Sequence, residues 1–323
     1  MGQNSEKNCK FASVICRTIR KMPMRLRSAL LSILAAVGLC VQGAAQEVPA
    51  LDSLLYEGSV RYHYLFIPPS LLPERPLVVM LHGYGGKAEG YRPEMLTAAR
   101  AEGFAVCIPQ GLKAPNGKTG WYVGYPAQEG MRTDDDAFVC HLAREVARKH
   151  GLRTLFLTGM SNGGEMCYLI GRKEPRTFRA IASVAGLTMK WVADSMAFHG
   201  PVPFMEIHGT ADKTSRWEGD LEGQGGWGAY LPVEDAVAAW VKENGCTPCA
   251  PEPLPLLHED SHPVVLHRWE GGTPVNGLAT EVLLYEVQGG KHSWALKDMD
   301  TCRVILQFFR RWLDADVDGL HNY

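Results

Sequence analysis

Neither sign of charge is in excess in this sequence. Its 323 residues contain 33 Lys and Arg against 35 Asp and Glu, which gives a formal net charge of −2. Binding to a phosphate backbone needs a face rich in positive charge, and Lys and Arg are not concentrated in the body of the chain. The balance therefore argues against nucleic acid as a partner.

Internal repeats and long low-complexity segments are absent as well. Their absence excludes a repeat architecture and leaves no obvious linker between two domains. The length would allow two domains, but α/β enzymes of this size often form one. We expect a leader over residues 1–45 and a single catalytic domain over residues 46–323.

The sequence also lacks an apolar run long enough to cross a bilayer. The apolar segment at residues 29–41 is shorter than the roughly 20 residues that a transmembrane helix needs. Arg25 and Arg27 precede it, and small residues at 43–45 follow it. This order is typical of a secretory signal peptide. We therefore expect residues 24–45 to be removed on export, leaving a secreted or periplasmic chain without a membrane span.

Three of the nine cysteines, Cys9, Cys16 and Cys40, lie in the expected leader. The bulky Leu39 before Cys40 disfavours a lipid anchor at that cysteine. The six remaining cysteines permit disulfides in an exported protein, although the sequence does not give their pairing.

Two of these six form a C-x-x-C pair, Cys246 and Cys249. A redox pair would be expected to open a helix of a thioredoxin-like unit, and a zinc site would need a second pair of ligands. The sequence offers neither context, so a structural disulfide involving Cys246 is favoured. Cys107, Cys140 and Cys167 lie in apolar segments and are expected to be buried thiols.

Strand-like and helix-like segments alternate along the chain. Continuous apolar runs such as residues 77–81 are typical of parallel strands covered on both faces. The alternation predicts an α/β fold with a doubly wound, mostly parallel sheet and helices on both faces. The predicted strands are residues 61–68, 77–81, 104–109, 154–158, 180–184, 203–207 and 281–285; the predicted helices are residues 134–150, 161–172 and 233–241 and one around 304–312.

Consecutive aspartates at positions 134, 135 and 136 begin the clearest of these helices, which should end at Gly151. Three carboxylates could form a metal cluster. A solvated helix cap is the favoured interpretation, because negative charge complements the positive end of the helix dipole.

Ser161 lies in the segment Gly-Met-Ser-Asn-Gly-Gly, between a predicted strand and a predicted helix. That setting is the one in which G-x-S-x-G forms a nucleophile elbow, as in the α/β-hydrolase fold. A helix that begins at the serine also directs its amide dipoles at an oxyanion formed there. Ser161 is therefore the predicted nucleophile.

A serine hydroxyl needs a base and a supporting acid, and in α/β-hydrolases these follow the serine in the order acid, then histidine. His292 follows the last predicted strand and is the predicted base. Asp212 follows the strand at 203–207 and is the predicted acid, with Asp220 as the alternative. The triad needs no metal ion and no organic cofactor.

Two backbone amides are predicted to form the oxyanion hole. One is the amide of Asn162, directly after the nucleophile, and the other is the amide of Tyr84, in the Gly-rich loop after an early strand. His82, beside that turn, is expected to be a hydrogen-bonded structural histidine. His258, His262 and His267 lie in a polar segment and are expected at the surface.

Four segments together, LHGYGG, GMSNGG, HGTAD and GGKHSW, resemble the secreted esterase family that includes feruloyl esterases, acetyl xylan esterases and poly(3-hydroxybutyrate) depolymerases. The resemblance extends from about residue 61 to 312. It implies that the family's nucleophile, acid and base fall on Ser161, Asp212 and His292.

The chain departs from the family in the loops that border the site, at residues 213–220 and after Trp294. Aromatic rings in these loops could stack on a sugar or on an aromatic acyl group, although aromatic side chains also pack in cores. The candidate substrate-binding residues are Trp121, Trp294, Trp217 and Trp227.

The sequence thus predicts a serine esterase that removes feruloyl or acetyl groups from a plant-type polysaccharide or oligosaccharide. The alternatives are a polyester depolymerase, an acyltransferase and a non-catalytic member of the same fold.

Overall fold

The computed structural model describes residues 49–313. The expected signal peptide with Cys9, Cys16 and Cys40 lies outside the described residues. Within them, no helix has both the length and the apolar character needed to cross a membrane.

The central sheet has eleven strands. Ten run in the order β1-β2-β4-β3-β7-β8-β9-β15-β12-β10, and β11 also pairs with β12. The strands are β1 Ala50–Tyr56, β2 Ser59–Phe66, β3 Pro76–Leu81, β4 Ala105–Pro109, β5 Leu112–Lys113, β6 Thr119–Gly120, β7 Thr154–Met160, β8 Ala180–Val184, β9 Phe204–Gly209, β10 Thr247–Pro248, β11 Glu252–Pro253, β12 Val264–Glu270, β13 Pro274–Val275, β14 Leu278–Ala279 and β15 Val282–Val287.

The six strands from β4 to β15 in this order are parallel, and the strands outside them pair antiparallel. The predicted α/β-hydrolase fold with a mostly parallel sheet is confirmed. The helices of the described region are α1 Pro93–Glu102, α2 Asp135–His150, α3 Asn162–Lys173, α4 Lys190–Ser195, α5 Val233–Asn244 and α6 Thr301–Arg311, with a short 3-10 helix at Pro126–Gln128.

Two hydrophobic clusters cover the two faces of the sheet. Alternate residues of β3 divide between them: Leu77 and Val79 pack into one cluster, and Val78 and Met80 pack into the other. The first cluster includes side chains of α2, α3 and α5, and the second includes side chains of α1 and α6. Burial on both faces is the reason why the central strands are continuously apolar.

The order of strands reverses beside β3, because the chain passes from β3 to β4 on one side and later to β7 on the other. In open α/β sheets, ligands bind at the carboxyl ends of the strands at such a switch point. The loops after β3 and β7 therefore mark the expected position of the site.

The aspartates at the start of α2 differ from the predicted solvated cap. Asp134 does cap the helix, accepting a hydrogen bond from the Ala137 amide. Asp135 is buried instead, in an ion pair of 3.0 Å with Arg61, and also accepts a hydrogen bond from the Tyr122 amide. These two interactions of the Asp135 carboxylate link α2 to β2 and to the loop after β6.

The predicted disulfide at Cys246 is wrong. All six cysteines of the described residues are free, and the Cys246 thiol instead lies 3.3 Å from the Thr280 carbonyl oxygen. Cys107, Cys140 and Cys167 are buried thiols, as predicted. Burial raises their pKa values, which keeps them protonated and unreactive.

Candidate active site

Ser161 occupies a strained turn between β7 and α3. Its backbone has φ 57° and ψ −123°, a region that residues other than glycine rarely adopt. The Ser161 amide donates a hydrogen bond of 2.9 Å to the Val184 carbonyl oxygen, which holds the turn against β8. The strain exposes the hydroxyl at the carboxyl end of the sheet, as a nucleophile elbow requires.

Two glycines make this turn sterically possible. A Cβ atom at Gly159 would lie 2.4 Å from the Gly163 carbonyl oxygen, and one at Gly163 would lie 2.4 Å from the Leu81 carbonyl oxygen. Both approaches are too close for any side chain, because β7 and α3 nearly touch at Gly159 and the end of β3 nearly touches α3 at Gly163. The sequence spacing G-x-S-x-G therefore has a direct structural cause.

His292 and Asp212 meet because their strands are neighbours. The β9 and β15 strands are parallel and paired up to Gly209 and Val287, so the loops that follow them lie side by side. His292 Nδ1 is 2.6 Å from Asp212 Oδ2, and the carboxylate is fully buried. Asp220, the alternative acid, binds the amides of its own loop instead.

The second oxygen of Asp212 is also occupied. Its Oδ1 accepts hydrogen bonds from the amides of Thr214, at 2.7 Å, and Ser215, at 2.9 Å. With both oxygens bound, the carboxylate has a fixed orientation and presents one oxygen to the imidazole. This arrangement can select the tautomer that leaves the Nε2 of His292 free to accept a proton.

A second histidine, His208, also lies close to the Asp212 carboxylate. His208 Nδ1 is 2.9 Å from Glu206 Oε1, and its Nε2 is 3.7 Å from Asp212 Oδ2. Burial alone would lower the pKa of His208, but Glu206, the Ser215 carbonyl and Asp212 together raise it above its ordinary value. The sequence predicts no role for His208, which lies in β9, the strand that precedes Asp212.

Ser161 and His292 line the same cavity of about 200 Å³. Within residues 49–313, neither the Ser161 hydroxyl nor His292 Nε2 has a hydrogen-bond partner, so both are available to a substrate. The lining consists of Tyr84, Tyr125, Ser161, Glu165, Thr214, Ser215, Trp227 and His292.

The predicted oxyanion donors border the nucleophile. A Cβ atom at Gly83 would lie 3.4 Å from Ser161 Cβ, so the loop that contains Tyr84 runs beside the serine. The amides of Gly85 and Gly86 bind carbonyl oxygens of neighbouring residues. The amides of Tyr84 and Asn162 have no acceptor among the described residues, so both can donate to an oxyanion.

Trp121, a predicted substrate-binding residue, lies in the core and does not line the cavity that contains Ser161. Its side chain is 0% exposed, and its indole N–H donates a hydrogen bond to the His82 carbonyl oxygen. Its backbone amide donates to the Asn162 side chain, which in turn donates to the Trp121 carbonyl oxygen. Trp121 therefore holds Asn162, whose amide is a predicted oxyanion donor, from a position inside the core.

The other three tryptophans occupy different places. Trp227 lines the cavity, with its ring 5.2 Å from Tyr125 and 5.8 Å from Tyr84. Trp294 is 5% exposed and borders a separate open groove that includes Arg92. Trp217 packs beside His208 and is outside the cavity lining. Of the four candidates, only Trp227 reaches the cavity that holds Ser161.

The remaining histidine predictions have mixed outcomes. His82 is buried and accepts a hydrogen bond from the Gly111 amide, as a structural histidine should. His262 and His267 are partly exposed and pair with Asp298 and Glu286, but His267 belongs to strand β12 rather than to a loop.

Glu165 and Tyr125 are cavity residues that the sequence analysis did not nominate. Glu165 is 3% exposed, and burial raises its pKa to about 8; the nearby Tyr125 and Asn162 side chains oppose this rise and Glu206 adds to it. The i, i+4 spacing from Ser161 places Glu165 on the same face of α3. That spacing was the available signal for finding it.

Residues 61–208 match the family described as Esterase PHB depolymerase. NocK of Nocardia uniformis subsp. tsuyamanensis is 31% identical over 172 residues, which are 50% of this chain and 48% of that protein. Feruloyl esterase B of Neurospora crassa is 27% identical over 162 residues, covering 49% of this chain and 53% of that one. The chain thus spans about half the length of these curated relatives.

Acetyl xylan esterase from Aspergillus awamori has a similar fold, with a TM-score of 0.51 at 15% identity, over 75% of this chain and 94% of that one. This likeness concerns the fold alone. By these matches the chain is similar to the family described as Esterase PHB depolymerase, to feruloyl esterases and to an acetylxylan esterase.

Proposed function

We propose that this protein hydrolyses carboxylic esters through an acyl-enzyme on Ser161, with His292 as the base and Asp212 as the supporting acid. One observation carries the proposal. The His292–Asp212 pair, joined at 2.6 Å, opens onto the same cavity as a serine held in a strained elbow.

In the first half-reaction, Ser161 Oγ attacks the ester carbonyl carbon while His292 Nε2 takes the hydroxyl proton. Asp212 stabilises the imidazolium through Nδ1. The negative charge on the carbonyl oxygen is met by the amides of Tyr84 and Asn162. When the intermediate collapses, the bond to the alcohol oxygen breaks and the imidazolium gives its proton to that oxygen.

In the second half-reaction, water takes the place of the alcohol. His292 removes a proton from the water as its oxygen attacks the acyl carbon. Collapse of the second intermediate breaks the bond to Ser161 Oγ, which receives the proton back from His292. The products are a carboxylic acid and the unchanged enzyme, and the steps need no metal ion or cofactor.

The proposed substrates are feruloyl or acetyl esters of a plant-type polysaccharide or oligosaccharide. The names of the relatives support this choice, since they include feruloyl esterases and an acetylxylan esterase. Polysaccharides of this kind are met outside the cell. We accordingly propose that residues 24–45 direct export, which N-terminal sequencing of the exported protein would test by the appearance of Gln46 as the first residue.

The function is tested by release of ferulate and acetate from acylated xylan, measured with the wild-type chain and with Ser161→Ala. We expect release by the wild type and a loss of at least about 10³-fold in the variant. Labelling by a fluorophosphonate should attach to Ser161. Equal release by the two proteins, or labelling at another residue, would overturn the mechanism.

A polyester substrate is the second candidate, favoured by the description of the matched family. Hydroxybutyrate trimers provide the test, because they need no polymer-binding domain. Faster turnover of the trimer than of any acylated xylan fragment would favour this candidate.

A further inference from the structure

An open groove lies beside the catalytic residues and has no role in the proposed mechanism. It measures about 330 Å³, a size typical of small-molecule sites. Met160 and Ser293 form part of its walls, and they are the direct chain neighbours of Ser161 and His292. Tyr84 borders both the groove and the cavity that contains Ser161. The two spaces therefore adjoin, and each is available to one half of an ester.

Arg92 is the one charged side chain among the residues that line this groove. Its Nε is buried and has no hydrogen-bond partner among residues 49–313. The acid nearest to its guanidinium in an ion pair is Glu94, 3.8 Å from Nη1, and the Glu94 side chain is 48% exposed. Buried polar atoms in proteins are almost always hydrogen-bonded, and a guanidinium binds carboxylates through adjacent N–H groups. Arg92 can therefore bind an anionic group that enters the groove.

Tyr91 supplies a second donor in the same groove. Its hydroxyl is buried, and the hydroxyl proton has no acceptor among the described residues. The ring packs edge to face on Trp294, with centroids 6.2 Å apart. Burial raises the pKa of Tyr91 to about 12, against the opposing effects of Trp294, Arg92 and the Gly83 backbone. The hydroxyl is therefore neutral near pH 7 and can donate a hydrogen bond beside the guanidinium.

The position of the groove assigns it to the alcohol half of the ester. In the proposed mechanism the alcohol oxygen receives its proton from His292, so the alcohol leaves on the side of this histidine. Ser293, the next residue, lines the groove. One guanidinium balances one negative charge, which suits a carboxylate better than a phosphate monoester with a charge of about −2.

We propose that this groove binds the alcohol half of the ester and that Arg92, together with Tyr91, selects alcohols that carry a carboxylate. The inference rests on the proposed function, because it takes Ser161 and His292 as the groups that cleave the ester. Two kinds of alcohol have this chemistry: a uronic acid unit of an acidic polysaccharide, and a hydroxy acid at the end of a polyester. Both present a hydroxyl to be acylated and a carboxylate to be bound.

The test compares acetyl esters that differ only in a carboxylate or a carboxamide. One pair is acetylated methyl glucuronoside and its uronamide, acylated at the same hydroxyl; the other is 3-acetoxybutyrate and 3-acetoxybutyramide. The wild type should favour the carboxylate member of at least one pair by about tenfold in kcat/KM, the effect of one charge-assisted hydrogen bond. Arg92→Gln should abolish the preference through KM. The pair that shows the preference identifies the source of the alcohol.

Further variants separate a charge contact from a structural role. Arg92→Lys keeps the charge and should keep part of the preference, whereas Glu94→Gln removes the acid that competes for Arg92 and should increase it. Arg148→Gln, at an exposed position on α2, is the matched control and should keep the wild-type preference. Added salt should reduce the preference of the wild type, because it screens the charge of a groove open to solvent. Equal preferences in the wild type and Arg92→Gln would overturn the inference.

A binding measurement keeps the inference testable apart from catalysis. Ser161→Ala should bind methyl glucuronoside or 3-hydroxybutyrate more tightly than the matching amide, as measured by calorimetry, and the added Arg92→Gln change should remove the difference. If the wild type hydrolyses no ester but this difference is present, the proposed function fails and the anion site stands. If neither carboxylate is preferred over its amide, the inference fails whatever the activity.

Discussion

The Oδ2 atom of Asp212 lies between two imidazoles, 2.6 Å from Nδ1 of His292 and 3.7 Å from Nε2 of His208. One histidine faces the cavity and the other is fully buried against Glu206. The carboxylate thus contacts the buried His208 on one side and His292, the proposed base, on the other. Asp212 is therefore held by the amides of its own loop and by a buried charge network.

Replacement of Asp212 by Asn should lower kcat by about 10⁴-fold with little change in fold, because the amide would favour the wrong tautomer of His292. The measurement is steady-state hydrolysis of a chromogenic ester beside a thermal melt. Asp220→Asn is the matched control, since its carboxylate binds only amides of its own loop in the described residues. A larger loss of kcat in Asp220→Asn than in Asp212→Asn would reverse the assignment of the acid.

Replacement of His208 by Gln should change the pH dependence of stability. The pKa of His208 is raised in the folded state, so its protonated form stabilises the fold relative to the unfolded chain. This contribution is fully present below about pH 6.5, the unfolded value, and is lost as pH rises through the higher folded value. The melting temperature of the wild type should thus exceed that of the variant most at low pH. A difference that grows with pH would contradict this reading.

Replacement of Glu165 by Gln should remove a pH dependence of stability that comes from ionisation of the Glu165 carboxyl. The pKa of Glu165 is raised from 4.5 to about 8 in the fold, so the folded state disfavours the ionised carboxyl. The wild type should lose stability relative to Glu165→Gln as pH rises from 4.5 towards 8, and the difference should level off above that. Thermal melts of both proteins across this range provide the measurement, and parallel curves would speak against a buried, neutral carboxyl.

Trp121 and Trp227 should respond differently to truncation. Trp121→Ala removes a fully buried ring and its bond to the His82 carbonyl, so we expect a loss of about 3–5 kcal/mol in the free energy of unfolding. Trp227→Ala removes a ring from the cavity wall and should chiefly raise KM for aromatic esters. Urea denaturation and steady-state kinetics of both variants would show whether the two effects separate in this way.

Cys249 should be the thiol that reacts fastest in the native protein. It is exposed, whereas Cys107, Cys140, Cys167 and Cys302 are buried. Ellman's reagent should therefore modify about one equivalent quickly, and Cys249→Ser should remove that phase. After denaturation without reductant, all six cysteines of residues 49–313 should react. Fewer equivalents would show a disulfide that the structure does not contain.

The sequence specified the fold and the position of the strained turn at Ser161 because both can be recognised from local patterns. Continuous apolar runs alternate with helical spacing, and parallel strands with helices between them follow from that alternation. Gly159 is required by a contact within the turn around Ser161, whereas Gly163 is required by the close approach of the end of β3. Asp212 and His292 could be selected from chain order, because each follows a strand of a parallel sheet whose carboxyl ends share one edge.

Tertiary structure alone decided which aromatic rings reach the cavity, which cysteines remain unpaired and which buried groups support the acid. Trp121 and Trp227 look alike in sequence, yet one lies in the core and the other lines the cavity. The pKa of Glu165 is raised by burial in the folded chain, and the charge of Glu206, which is remote in sequence, adds to the rise. Such properties depend on distances between segments that only the folded chain brings together, whereas a strand, a helix or the G-x-S-x-G pattern can be recognised from consecutive residues.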